Sequence, residues 1–310
     1  MKVSPPLVRR LALGSLVANV GIVLTGGAVR LTESGLGCPT WPRCTDESWT
    51  ATPEMGIHGV IEYGNRTLTG VLGVIALAGL VAALALRPRR RSLVLLAAAV
   101  LAGIAAQGAI GGIVVWTDLN PSLVGGHFLV SMALIATAYA FWRRVDEPDG
   151  PVEATVPGPL RSLAWVIVVV AGALLTVGTV VTGSGPHAGD ADVPRNGLDP
   201  QQVSQAHADL AFLLLGLAVA SWFALRAVGA PRPAGRATLG LVAVILGQGA
   251  VGLVQYFTGL PELVVWLHLL GSCLVWLAAL QLLYATRARV PSTHAVPAQP
   301  AGQAAAVSVG

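Results

Sequence analysis

The sequence predicts an all-α membrane protein of eight transmembrane helices, built as two duplicated four-helix bundles related by a pseudo-two-fold along the membrane normal. Three observations predict it. The 310 residues are 54% apolar and only 11% charged, with a mean hydropathy of +0.71, whereas a soluble domain carries about 25% charged residues. Eight apolar stretches are long enough to span as helices, at about 20 residues each. Finally, the stretch from Gln107 to His127 repeats without a gap from Gln248 to His268: Gln107, Gly108, Ala109, Gly111, Thr117, Leu119 and His127 recur as Gln248, Gly249, Ala250, Gly252, Thr258, Leu260 and His268. An internal repeat of this kind signals a duplicated architecture.

The first span, 8–29, follows Lys2, Arg9 and Arg10 and ends in Thr32-Glu33-Ser34-Gly35. Its apolar run is long, has no convincing small-residue cleavage site and continues into further spans, so no cleaved signal peptide is expected. The loop 30–56 carries Cys38 and Cys44. Span two, 57–86, opens on His58 and contains Glu62, Asn65 and Arg66. Arg87, Arg89, Arg90 and Arg91 precede span three, 93–115. Span four, 123–142, holds His127 and ends at Arg143 and Arg144. A linker at 145–160, rich in Asp, Glu, Pro and Gly, divides an N-terminal half (1–144) from a C-terminal half (161–286). Span five, 161–182, closes on Thr182-Gly183-Ser184-Gly185, an echo of the end of span one. Span six, 203–225, carries His207; span seven is 237–257; span eight, 262–285, carries His268 and Cys273. A disordered tail is expected over 287–310, where Ala, Pro, Gly and Ser dominate.

Orientation follows from the basic residues. Fifteen of the nineteen Lys and Arg flank the loops and termini on one side, and the opposite loops carry Glu33, Asp46, Glu47, Glu54, Asp118, Asp190, Asp192 and Asp199. Both termini are therefore expected in the cytoplasm, with the cysteine loop outside a cell membrane. The net charge of +4 is read as this topology signal and not as nucleic-acid binding. With an even number of spans, both halves enter the membrane in the same sense, and each bundle can hold a cofactor between facing helices.

Of six histidines, His187 and His294 fall in an outer loop and the tail and are expected to be solvated. His58, His127, His207 and His268 each lie five to seven residues after a proline: Pro53, Pro121, Pro200 and Pro261. Counted from those prolines they share a shallow depth, two per half, which suits two bis-imidazole heme sites. A lone histidine in a span reads as polar glue between helices; four in this pattern read as ligands. Glu62 is a carboxylate inside an apolar span, with Arg66 one turn on and His58 one turn back on the same face. The two alternatives for it are a structural ion pair and a catalytic group. Span six has only Ser204 at the matching place, which favours chemistry over folding. Cys38 and Cys44 suit a structural disulfide on an oxidising side; a redox role stays open. Cys273 reads as a small buried hydrophobe. Gly70, Gly73, Gly108, Gly111, Gly112, Gly249 and Gly252 let helices approach or make room for a flat macrocycle.

The run Gly27-Ala28-Val29-Arg30-Leu31-Thr32-Glu33-Ser34-Gly35-Leu36, followed by Gly37-Cys38-Pro39-Thr40-Trp41-Pro42-Arg43-Cys44, resembles the signature of the heme A synthases. The Glu62–Arg66 segment, the two four-span halves and the placement of His127, His207 and His268 match as well, so the resemblance covers about residues 7–285. It implies oxidation of the C8 methyl of heme O to a formyl group, giving heme A for terminal oxidases. It further implies a substrate heme in the N-terminal half and a heme b in the C-terminal half. Carried over, His207 and His268 are axial ligands of heme b, His127 faces the substrate iron, Glu62 stands at the reactive methyl, and Cys38 with Cys44 is the outer cysteine pair. Arg66 belongs to the substrate side. One departure stands out: many members have Glu-x-x-His-Arg where this chain has Glu62-Tyr63-Gly64-Asn65-Arg66. His58, two turns from Asn65 on the same face, is the expected replacement ligand, with an Asn65 contact to substrate as the alternative.

The expected partners are a heme O synthase as donor, an external electron carrier or quinone, and the lipid membrane; a homo-oligomer is compatible with the sequence. A quinone-linked diheme cytochrome b without substrate oxidation fits the four histidines equally well. Against it stand Glu62, unmatched in the other half, the cysteine loop and the family signature. A repeat transporter gated by Glu62 and Arg66 is a further rival, but such proteins break their spans near the midplane.

Overall fold

A computed structural model describes residues 3–291. Eight helices run through it: α1 (Pro5–Leu31), α2 (Gly56–Ala85), α3 (Arg91–Trp116), α4 (Pro121–Asp146), α5 (Gly158–Ser184), α6 (Pro200–Ala227), α7 (Arg232–Phe257) and α8 (Glu262–Ala285). A 3-10 turn, Pro53–Met55, precedes α2. At about 1.5 Å rise per residue, even the 24-residue α8 outspans a hydrocarbon core of about 30 Å. All eight are long and apolar enough to cross a membrane. Most outrun the apolar windows because polar turns continue them. Proline occupies the first turn of α1, α4, α5, α6 and α7, where its missing N–H costs nothing. The Asn120 side chain accepts from Ser122 N and Leu123 N, and that of Asp199 from Gln202 N, so α4 and α6 start on satisfied caps. Arg143, Arg144 and Arg226 close α4 and α6, where the helix dipole favours cations.

Within each half the helices pack as a closed ring: α1 on α2, α2 on α3, α3 on α4 and α4 on α1, and likewise α5 through α8. The halves meet through α1 on α8, α4 on α5 and α4 on α8. This neighbour map is unchanged when the two halves are exchanged, in keeping with the expected duplication. Two indoles pin the seam: Trp266 Nε1 donates to Leu24 O and Trp276 Nε1 to Met132 O, each at 2.9 Å. One buried apolar cluster, including Met132, Ile135, Ile167, Leu214, Leu241 and Leu282, runs through both halves. Large apolar side chains such as Val74, Phe212, Phe223 and Phe257 point outward, as lipid-facing positions do.

At the basic end the linker and the chain after α8 are not loose. β1 (Val152–Ala154) pairs antiparallel with β2 (Arg287–Arg289), and Glu147 lies 3.2 Å from Arg289 and 3.5 Å from Arg287. The expected disordered tail is thus corrected at its start: 287–289 form a strand, because the linker offers it backbone partners and a carboxylate. The rest of that tail, His294 included, lies outside the described residues. His187 is not simply solvated either; its Nε2 lies 3.0 Å from Leu260 O, tying the α5–α6 loop to the α7–α8 turn.

Candidate active site

Glu62 is buried, with 5% of its surface exposed. Its i,i+4 spacing from Arg66 sets both side chains on one face of α2. Oε1 accepts from Arg66 Nη2 at 2.5 Å and from Nε at 3.1 Å, and Oε2 accepts from the backbone N of Cys38 at 2.5 Å. Arg66 in turn donates to three carbonyls of the α1–α2 loop: Cys38 at 2.9 Å, Thr40 at 2.7 Å and Arg43 at 3.2 Å. Cys38 and Cys44 are joined in a disulfide. The cysteine loop, the carboxylate and the arginine are therefore one unit. The planar guanidinium serves carboxylate and loop together, which a lysine head could not do. Gly37 lies so close to the His58 carbonyl that a Cβ would have no room. Trp41 of the same loop seats on Gly112 of α3 and meets Trp116 edge-on at 5.5 Å.

In the C-terminal half, His207 of α6 and His268 of α8 face each other with ring centroids 6.2 Å apart and planes at 56°. With metal–nitrogen bonds of about 2.0–2.1 Å, and roughly 1.1 Å from that nitrogen to the ring centre, two imidazoles on one ion put their centroids about 6.2–6.4 Å apart. The pair thus has the spacing of two axial ligands of one heme iron. The helices leave room for the rings by means of glycine. A Cβ on Gly178 of α5 would meet His207 Cε1 at 3.1 Å, and one on Gly252 of α7 would meet His268 Cε1 at 3.3 Å. In the N-terminal half, a Cβ on Gly111 of α3 would meet His127 Cε1 at 3.6 Å. The repeated glutamines do matching work: Gln107 Nε2 donates to His127 O at 3.0 Å, and Gln248 Nε2 to His268 O at 2.7 Å. The Nδ1 atoms of His127 and His268 are buried with no hydrogen-bond partner among the described residues.

Residues 9–280 match the model of the cytochrome oxidase assembly protein family COX15-CtaA. A heme A synthase of Bradyrhizobium sp. (strain ORS 278) is 30% identical, over 80% of this chain and 82% of that one. That of Methylobacterium radiotolerans is 29% identical, over 78% and 80%. A third, from Exiguobacterium sibiricum, is 33% identical over 46% of this chain, which spans 48% of that relative. The chain belongs to the heme A synthase family.

For a heme A synthase family member the site residues expected from sequence fall into three places. His207 and His268 come together. Glu62, Arg66, Cys38 and Cys44 come together. His58 goes elsewhere: its side chain is exposed, and its Nδ1 lies 3.0 Å from Ser34 Oγ. It lines a cleft of about 460 Å³ at the cysteine-loop end, with Glu33, Gly37, Met55 and Asp190 among its neighbours. The 3-10 turn and α2 together run 33 residues, against 28 for α6, so His58 stands 27 residues before the last residue of α2, whereas His207 stands 20 before that of α6. Sequence reasoning also passed over Thr25, whose Oγ1 donates to Asn65 Oδ1 at 2.7 Å. It read Gly111 and Gly252 as close-approach or macrocycle-clearing residues, without linking them to the histidine rings they face. Gln107 and Gln248 opened the repeat, but only the structure gives the reason: each anchors the carbonyl of the histidine twenty residues on.

Proposed function

We propose that the N-terminal half binds heme O and oxidises its C8 methyl to a formyl group, giving heme A, while the C-terminal half holds a resident heme b between His207 and His268. Bound heme b supplies one-electron transfer, at a potential set by its axial ligands and burial. His127 binds the substrate iron from α4, and Asn65 and Arg66 line the substrate side of α2. Glu62 acts at the reactive methyl. With water as the oxygen donor, each hydroxylation releases two protons and two electrons (R–CH3 + H2O → R–CH2OH + 2 H+ + 2 e−), and the Glu62 carboxylate is the group positioned to accept a proton. It also stabilises positive charge that develops at the carbon, more strongly in a water-poor site than in water. The Cys38 N–H and Arg66 hold it in one orientation, so it needs no reorganisation during the step. Two successive hydroxylations give a gem-diol, and loss of water gives the aldehyde.

One observation carries this reading: a buried carboxylate fixed by three hydrogen bonds in one half only. A diheme electron-transfer protein has no use for it. Electrons leave one at a time to an external carrier or quinone, and heme O is delivered by a membrane-bound heme O synthase. The basic loops lie in the cytoplasm, with the disulfide loop outside. The test is chromatography of hemes extracted from a host that makes heme O. The protein is expected to produce a formyl-heme peak, and Glu62→Gln to reduce it by about 10²-fold or more, the range for losing a positioned acid–base group. A Glu62→Gln variant with an undiminished peak removes the proposed role.

A further inference from the structure

We infer that Asn65, not His58, is the fourth member of the set formed with His127, His207 and His268, so that the substrate heme has His127 as its only protein ligand and a fixed carboxamide on its other face. This rests on the reading above that the N-terminal half takes a heme. Three observations carry it. Asn65 precedes the last residue of α2, Ala85, by twenty positions, and His207 precedes the last residue of α6, Ala227, by the same twenty. His58 lies seven residues further out, about 10 Å along the helix. The glycine pattern agrees. His127, His207 and His268 each sit against a glycine of the preceding helix, and so does Asn65, whose Nδ2 would meet a Cβ on Gly26 of α1 at 4.0 Å. Thus α1, α3, α5 and α7 each present one glycine to the four positions. Finally, both candidates are already engaged. His58 Nδ1 is paired with Ser34 beside the outer cleft. Asn65 Oδ1 accepts from Thr25, which turns the amide's donor end free and makes Asn65 a positioning residue for substrate, not an iron ligand.

The consequence is an electronic difference between the halves. His207 and His268 would hold heme b from both faces, whereas His127 alone would leave one face of the substrate iron without a protein ligand. The test is to load the purified full-length protein with heme b in detergent, count bound heme, and record optical and electron paramagnetic resonance spectra without turnover. The wild type is expected to bind two hemes, one low-spin and one high-spin. Asn65→His should convert the high-spin component to low-spin at unchanged heme content. Asn65→Ala, which keeps the fold's volume demand small, should leave it high-spin. His127→Ala should remove it, and His58→Ala should leave both components in place. Two low-spin hemes in the wild type, with His58→Ala turning one high-spin, would make His58 the ligand and overturn the inference. Binding of a single heme, lost with His207→Ala, would instead remove the substrate-heme reading on which the inference stands.

Discussion

Removing Arg66 should cost more than removing Arg66 and the Glu62 charge together. Arg66 makes two hydrogen bonds to Glu62 and one to each of three loop carbonyls. The side chains of the pair are only 19% and 7% exposed, so solvent screening is weak. Arg66→Met keeps the volume but leaves a buried carboxylate with Cys38 N as its one donor. Breaking a buried pair from one side costs about 3–5 kcal/mol; partial exposure of the arginine puts the figure near the lower end, about 3 kcal/mol. In a chain of this size that corresponds to a fall of roughly 6–10 °C in apparent Tm. In Glu62→Gln/Arg66→Met no uncompensated charge remains, and the loop carbonyls can turn to water, so the double variant should recover about half of the loss. The assay is thermal unfolding in detergent across the four corners of the cycle, with limited proteolysis of the cysteine loop as a local readout. If the double variant loses the sum of the two single losses, the pair is not a coupled buried unit and the reasoning fails.

Two further outcomes follow from the geometry. Gly178→Val places branched carbons where His207 Cε1 leaves only 3.1 Å to a Cβ; it should displace the ring and lower bound heme b at least several-fold by pyridine hemochrome, while Gly172→Val, at an open position on the same helix, should not. At the basic end, partial burial pushes the Asp149 carboxyl up, but the hydrogen bonds and charges of Arg90 and Arg144 outweigh it and hold it below its ordinary value. A carboxyl depressed in the folded state contributes stability above its unfolded value of about 3.9 and loses it as pH falls through the folded one. Asp149 is 52% exposed, so this is worth at most about 1 kcal/mol. Asp149→Asn should lower apparent Tm slightly at pH 7, and the difference should shrink as pH falls below about 3.9, vanishing only below the depressed folded value; a difference that stays constant as pH falls through that region would show that charge plays no part.

The spans were legible because lipid imposes a composition that a window can count, and that alone gives an all-helical membrane protein. The repeat from Gln107 to His127 and from Gln248 to His268 was legible because a glutamine, a glycine and a histidine at fixed spacing recur in both halves; each recurs for a contact. Depth was not legible. It was counted from prolines, and prolines mark where a helix starts, not where the bilayer does. The 3-10 turn and α2 together are longer than α6, so a count from the leading proline and a count from the helix end rank His58 differently against His207. The union of the cysteine loop with Glu62 was also hidden. It runs through the backbone N–H of Cys38 and the carbonyls of Thr40 and Arg43, groups that every residue carries and no sequence pattern marks. β2 was missed for the same reason: its partner strand lies more than a hundred residues away.

The asymmetry between the halves has a physical logic. A resident electron carrier is best held from both faces, and on the proposed reading His207 and His268, 6.2 Å apart between ring centroids and each against a glycine, would provide that. A substrate must also leave after oxidation. A second imidazole in the N-terminal half would deepen the bound state of substrate and product alike, and binding both more tightly slows release without lowering the barrier to chemistry. If Asn65 stands in that ligand's place, as inferred above, with its oxygen tied to Thr25, the substrate site gives up one strong bond to iron. On the proposed function, specificity would then come from the Cys38–Arg66–Glu62 unit, whose carboxylate is held in one orientation. On this argument Asn65→His should tighten heme binding and slow turnover together, with product release, not oxidation, becoming the slow step in single-turnover measurements.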